Sequence, residues 1–262
     1  MKIDEQIKRE SGVHGEQWNF LHNGYFSDAR VARPFIKTII RYLSDSVPDV
    51  IVDLGGGTGF ILRELIAKGV TANIIPINLD CSENQLDAMG KGDISCINRM
   101  ISDFCRNDLI HNEEKRVFFI MRSVLHYFGQ NGLVDILQHI RNQAQKGEIF
   151  IHQSACFESE VGSRCLNALY REMRSPKWYP VIKEIRDKMM AAHWQIIEER
   201  PAPALKLSSA ELGQRYGLDA QSVAEIRSKL LHESGEIENI FQCTKDGFVA
   251  YLHYRIFVAR AV

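Results

Sequence analysis

Val50-Ile51-Val52-Asp53-Leu54-Gly55-Gly56-Gly57-Thr58-Gly59 joins a short apolar run to a glycine-rich turn. Asp49 to Leu54 is a short β-branched run and predicts a buried strand. It delivers its carboxyl end to a turn made almost entirely of glycine. Without Cβ atoms the backbone can turn sharply, and a ligand can lie against it. Phe60 to Ala67 then reads as a helix ending at Gly69. That helix presents free N–H groups and a positive dipole end at the turn. Asp53 sets a carboxylate beside it.

The alternation extends outward from this unit. Residues 34–45 have helical periodicity, with Ile36, Ile39, Ile40 and Leu43 on one face. Asn73 to Leu79 predicts a strand, and Ser82 to Met89 a helix with Ser82 as N-cap. Ile97 to Ile101 is a weaker strand. Arg116 to Met121 is an apolar, doubly buried one. Leu133 to Gln145 reads as a helix ending at Gly147, and Glu148 to His152 as another strand. Strands alternating with helices predict an α/β fold with a doubly wound, mostly parallel, seven-stranded sheet. Residues 156–235 hold no convincing strand. They read as a helical insertion that includes one helix over Tyr179 to Ile197 and a break at Pro201–Pro203. The chain closes with an antiparallel pair, Glu238 to Cys243 and Val249 to Val258, joined through Lys245, Asp246 and Gly247. Three regions follow: 1–48 as an N-terminal helical cover, 49–155 with 236–262 as a Rossmann-like ligand domain, and 156–235 as a substrate cover or dimer contact.

Bulk properties narrow the class. The 262 residues are 45% hydrophobic and 25% charged, with a formal net charge of −1. That balance argues against a free-standing nucleic-acid binder. No window approaches 18 uninterrupted apolar residues, so no membrane span is expected. Met1 to Glu10 is charged, with no apolar run after it, and does not read as a signal peptide. The six cysteines form no Cys-x-x-Cys pair, which argues against structural zinc and fits a reducing cytoplasm.

The glycine loop admits two ligands. A dinucleotide site usually spaces its glycines G-x-G-x-x-G around a pyrophosphate. Here Gly55, Gly57 and Gly59 are spaced G-x-G-x-G. S-Adenosylmethionine has no phosphate; it carries an ammonium, a carboxylate and a sulfonium. Asp53 can attract its cationic end while loop N–H groups hold its carboxylate.

Asp53-x-Gly55-x-Gly57-x-Gly59 resembles the first motif of class I, Rossmann-like S-adenosylmethionine-dependent methyltransferases. Ile77-Asn-Leu-Asp80-Cys81-Ser82 resembles that family's second strand and the start of its next helix. Asp80 stands where the family's ribose-gripping acid stands, with Cys81 beside it. Ile101-Ser-Asp103-Phe104 resembles the third motif, which implies that Asp103 accepts from the adenine amino group and that Phe104 flanks the ring. The resemblance covers about residues 49–155 and the closing strand pair. It implies a small-molecule methyltransferase with S-adenosylmethionine as cofactor.

The fourth strand ends in Phe119-Ile-Met-Arg122-Ser-Val-Leu-His126-Tyr-Phe128. In open α/β sheets the ligand lies beyond the carboxyl ends of the strands. This segment therefore borders the methyl group, with Arg122 on the cofactor side. It resembles the segment in which plant-type phenolic O-methyltransferases carry a catalytic histidine, and His126 matches that histidine. Tyr127 and Phe128 replace the family's acid and tryptophan. The alternative role for His126 is packing. The Asn/Asp-Pro-Pro-aromatic signature of amide- and base-nitrogen methylation is absent, which argues against DNA as substrate; O- or C-methylation of a small molecule is the expectation. Clustered Asp/Asn metal ligands are also absent from the segments read, and no metal is expected.

The aromatics Trp18, Tyr25 and Phe26 read as a cover on one side of the site, and Trp178, Tyr179, Met189, Met190, His193 and Trp194 as cover, core or dimer contacts on the other. Ser209 to Ile226 resembles a helix-turn-helix. A DNA reader needs a basic second helix, whereas this one carries Asp219, Glu225, Arg227, Lys229, Glu233 and Glu236. The expected partner is a small molecule, with no nucleic acid, no membrane and a possible homodimer. The competing reading is a non-catalytic S-adenosylmethionine-binding regulator, or a DNA-binding protein using the 209–231 helices.

Overall fold

A computed structural model describes residues 24–262 apart from 91, 113 and 176. The first half is a run of alternating elements. Helix α1 (Ala29–Asp45) leads to β1 (Val50–Leu54), α2 (Phe60–Ala67), β2 (Ile75–Asp80), α3 (Glu83–Met89) and β3 (Ser95–Asn98). The short α4 (Arg106–Leu109) precedes β4 (Val117–Arg122). A 3-10 turn over Leu125–Phe128 runs into α5 (Gly129–Gln143), and β5 (Ile149–Ala155) follows. The second half comprises α6 (Glu160–Glu172), α7 (Ile182–Ala191), β6 (Trp194–Ser208), α8 (Ser209–Tyr216), α9 (Ala220–Ser234), β7 (Phe241–Thr244) and β8 (Gly247–Ala261).

One sheet holds all eight strands, in the order β3-β2-β1-β4-β5-β8-β6, with β7 paired to β8. The first five are parallel and β8 is antiparallel to β5 and β6. Every residue of β1 and β4 is buried, as a parallel strand covered on both faces requires. On one face α1 and α2 set Phe35, Ile39, Leu62 and Leu65 against Ile51 and Ile120. On the other, α5 and α7 set Leu137, Ile185 and Met189 against Val52, Phe119 and Phe257. A separate core joins α6, α8 and α9 to the β8 end through Leu169, Leu212, Leu230 and Leu252. No helix among the described residues is long and apolar enough to cross a membrane.

The region 156–235 needs one correction. It is not wholly helical: residues 194–208 form β6, the edge strand. The helix expected to run to Ile197 stops at Ala191, because His193 takes φ +58° and turns the chain into the strand. Pro201 and Pro203 do not break β6. They lie on an edge, where a missing N–H costs no ladder bond, and the register shifts between Ala202 and Leu205. The closing pair is present as β7 and β8, but β8 sits between β5 and β6.

Candidate functional site

The carboxyl ends of β1, β2 and β4 surround a cavity lined by Asp53, the glycine loop, Asp80, Cys81, Ile101 and Arg122, among others. The glycine loop is fastened to β2. Gly55 N–H donates to Leu79 O (2.7 Å), and Asn78 Nδ2 donates to Gly57 O (2.8 Å). Gly57 has φ +57° and donates its N–H to Asp80 Oδ2 at 2.9 Å. Gly56 is closed to any side chain, since a Cβ there would stand 2.2 Å from Asn78 Oδ1. These contacts bring the backbone close under the cavity, where a ligand can lie on it.

Asp53 is buried, and neither carboxylate oxygen finds a hydrogen-bond partner among the described residues. Asn78 Oδ1 is a third such acceptor. Burial pushes the Asp53 carboxyl up to about 7; Asp80 adds to the rise and Arg122 opposes it. An unpartnered buried acceptor is costly unless something satisfies it. Asp80 differs, because its oxygens accept from Gly57 N–H and from Ser82 N–H at 2.8 Å. Burial still raises its carboxyl above the usual range. Burial likewise pushes the Cys81 thiol up to about 11, so it is neutral near pH 7.

Asp53, Gly55, Gly57, Asp80, Cys81 and Arg122 are therefore brought together around one cavity. Gly59 lies just beyond the lining, at the start of α2 with φ +72°. Two residues are placed elsewhere. Phe104 is fully buried, with its ring edge-on to His139, and does not line the cavity. Asp103 is exposed and accepts from Ser102 Oγ at 2.9 Å. Strand β3 ends at Asn98, three residues earlier than expected, so Met100 and Ile101 reach the cavity instead. Arg122 lines the cavity but spends two donors elsewhere, on Phe26 O (3.0 Å) and Tyr25 O (3.3 Å). Phe26 lines the cavity, and Tyr25 packs edge-on against its ring (5.0 Å between centroids) without lining it; Trp18 lies outside the described residues.

A second chamber adjoins the first and shares Phe26, Ser123 and Tyr127 with it. His126 lines this chamber. Its ring packs on Tyr127 (4.1 Å between centroids) and stacks on Tyr179 (5.4 Å), while its carbonyl accepts from Trp178 N–H. Tyr170, Lys177, Tyr179 and Arg215 reach the chamber from the 156–235 region, and Tyr254 from β8. Ser123 and Tyr254 hydroxyls are 2.7 Å apart. Burial pushes the Tyr254 phenol up to about 12, so it is a neutral hydroxyl near pH 7. Ser123, Lys177 and Tyr254 escaped the sequence reading. Only the adjacency of Ser123 to Arg122 pointed to any of them.

No family model and no curated protein matches the sequence. Solved structures do match the fold. The 1,6-didemethyltoxoflavin-N1-methyltransferase of Burkholderia thailandensis, solved with its substrate and S-adenosylhomocysteine bound, aligns with a TM-score of 0.55 at 14% identity. The alignment covers 99% of this chain and 89% of that one. The chain has the class I methyltransferase fold. The magnesium protoporphyrin IX methyltransferase of Synechocystis PCC 6803, with bound S-adenosylhomocysteine, aligns at 0.53 with 12% identity over 97% and 93%. A [4+2]-cyclase, SpnF, aligns at 0.55 with 13% identity over 88% and 82%. One fold thus hosts more than one chemistry, and activity has to be argued from the site.

Proposed function

We propose that this chain is an S-adenosylmethionine-dependent methyltransferase acting on a small-molecule acceptor, at oxygen or carbon. The observation that carries the reading is Asp53: a buried carboxylate with both oxygens unpartnered among the described residues, beside a glycine loop closed to side chains. A cationic ammonium satisfies that acid, whereas a pyrophosphate is repelled by it. This favours S-adenosylmethionine over a dinucleotide. Asp80 holds the ribose hydroxyls, and Met100 and Ile101 flank the adenine. When bound, the cofactor supplies an electrophilic sulfonium methyl. The chain's own work is to align the acceptor, exclude water and remove a proton where one must leave. The second chamber is the acceptor site, and His126 is its proton acceptor. Phe26 on one side, and Tyr170 and Tyr179 from the 156–235 cover on the other, keep it dry. Helix α9 buries Ile226 and Leu230 and pairs Lys229 with Glu172, which does not favour a DNA-reading role.

Calorimetry with S-adenosylhomocysteine and NAD tests the cofactor. The former binds and the latter does not. Asp80→Ala weakens binding by roughly ten- to a hundredfold, the worth of a hydrogen bond to a charged group. Tight NAD binding, or an unchanged affinity in the variant, overturns the assignment.

A further inference from the structure

An outer groove shares one wall, Lys177, with the acceptor chamber. The first turn of α5 contributes Gly129 and Gln130, and the end of α6 with the loop after it contributes Arg171, Arg174, Ser175 and Trp178. Helix α5 has 15 residues, no side-chain cap and no acidic residue in its first turn. Its positive end is not offset by its own side chains. Ser175 Oγ is buried in the same wall, with no hydrogen-bond partner among the described residues. No acidic side chain is among the described lining residues. Arg171 meets Glu172 and Glu233 only at 3.7 and 3.9 Å. Lys177 is held in place by Tyr216 OH at 3.0 Å, with the rings of Tyr127 and Tyr170 5.0 and 5.5 Å from Nζ.

Arg174 adds a second line of argument. It has φ +55°, and its N–H bonds Arg171 O while Ser175 N–H bonds Tyr170 O. This is the helix-ending arrangement that glycine ordinarily fills. An arginine there carries a backbone cost that the fold does not need, and such outliers gather at ligand sites.

We propose that this groove binds an oxyanion, a carboxylate or a phosphate, carried by the methyl acceptor. Its ligands are Lys177, Arg174, the Ser175 hydroxyl and the amino end of α5. The proposal rests on the reading of the adjoining chamber as the acceptor site. The acceptor is then an anionic molecule whose reactive end lies by His126 and whose charge lies across Lys177.

Calorimetry with benzoate, phenyl phosphate and neutral benzamide, each with and without saturating S-adenosylhomocysteine, tests it. At least one anion binds and benzamide does not; the tighter anion distinguishes a carboxylic from a phosphorylated acceptor. Lys177→Met and Arg174→Gly each lower that affinity roughly tenfold or more, with S-adenosylhomocysteine affinity unchanged. Arg174→Gly melts no lower than wild type, which separates lost binding from lost folding. Benzamide binding as well as the anions, or variants that bind them unchanged, overturns the groove. Failure of the wild-type protein to bind S-adenosylhomocysteine, with anions still bound, overturns the methyltransferase reading instead.

Discussion

Asp53→Asn probes the carboxylate on which the cofactor assignment rests. The Asp53 carboxyl is raised from 3.8 to about 7, first by burial, then by Asp80, against the opposing charge of Arg122. Three pH units correspond to roughly 4 kcal/mol between its two protonation states. The folded value lies above the unfolded one, so between pH 4 and 7 the native protein holds a proton that the unfolded chain has released. Stability is therefore lost as pH rises through that window. Asparagine removes the charge but leaves a buried amide, so the relief is smaller than the full figure. Without cofactor, the variant should match wild type near pH 4 and exceed it by roughly 2–4 kcal/mol at pH 8.

Binding should move the opposite way. An ammonium needs the ionised acid, so wild-type affinity for S-adenosylhomocysteine should fall up to about tenfold per unit below pH 7. The variant should bind weakly, with little of that slope. Urea unfolding from pH 4 to 8, paired with calorimetry over the same range, measures both. Parallel stability curves for the two proteins would refute the argument, as would a pH-independent wild-type affinity.

Gly57→Ala meets Gln85 Oε1 at 2.3 Å and a φ of +57°; S-adenosylhomocysteine binding should drop more than tenfold, and adding Gln85→Ala should relieve the collision but not the backbone cost of about 1–2 kcal/mol. Full binding by the single variant, measured by calorimetry, counts against the loop as cradle. His126→Ala should cut methyl transfer by roughly 10²–10⁴ with cofactor affinity unchanged, and His126→Gln should not restore it if the ring takes a proton. Wild-type rates in both variants would make the histidine a packing residue. Arg122→Met should free the carbonyls of Tyr25 and Phe26, so limited proteolysis before Asp28 should accelerate; an unchanged cleavage rate would show that the arginine does not hold this segment.

Much of the fold was legible for a physical reason. Strands β1 and β4 are buried on both faces and read as apolar runs interrupted only near their carboxyl ends, by Asp53 and Arg122, and the glycine turn marks where β1 stops. Strand β6 was not legible. Its Glu198 and Glu199 look solvated until Arg41 and Arg255 arrive from distant elements, and Arg186 from the preceding helix, to pair with them. Its prolines look like breaks until the strand is known to be an edge. In the site, Asp53 and Asp80 follow from the strand ends. Phe104 does not, because an early end to β3 shifts which residues of that segment face the cavity. Lys177 enters by tertiary approach, from about fifty residues beyond His126, and no local pattern announces it.

Among the residues the two chambers share is Ser123, which directly follows Arg122 at the end of β4. Ser123 has φ +62°, a conformation that costs a non-glycine residue about 1–3 kcal/mol. Two bonds hold it there: its N–H to Gln153 O at 2.8 Å and its hydroxyl to Tyr254 at 2.7 Å. Arg122 lies with Asp53 at the first cavity, while Ser123 lines both it and the second chamber. An extended residue 123 would not make the same turn into the 3-10 segment that carries His126. The strain at this residue thus has a structural use. Under the proposed methyltransferase reading, one strand end would serve the cofactor with its last residue and the acceptor with the next, holding the two sites in the fixed register that in-line transfer requires.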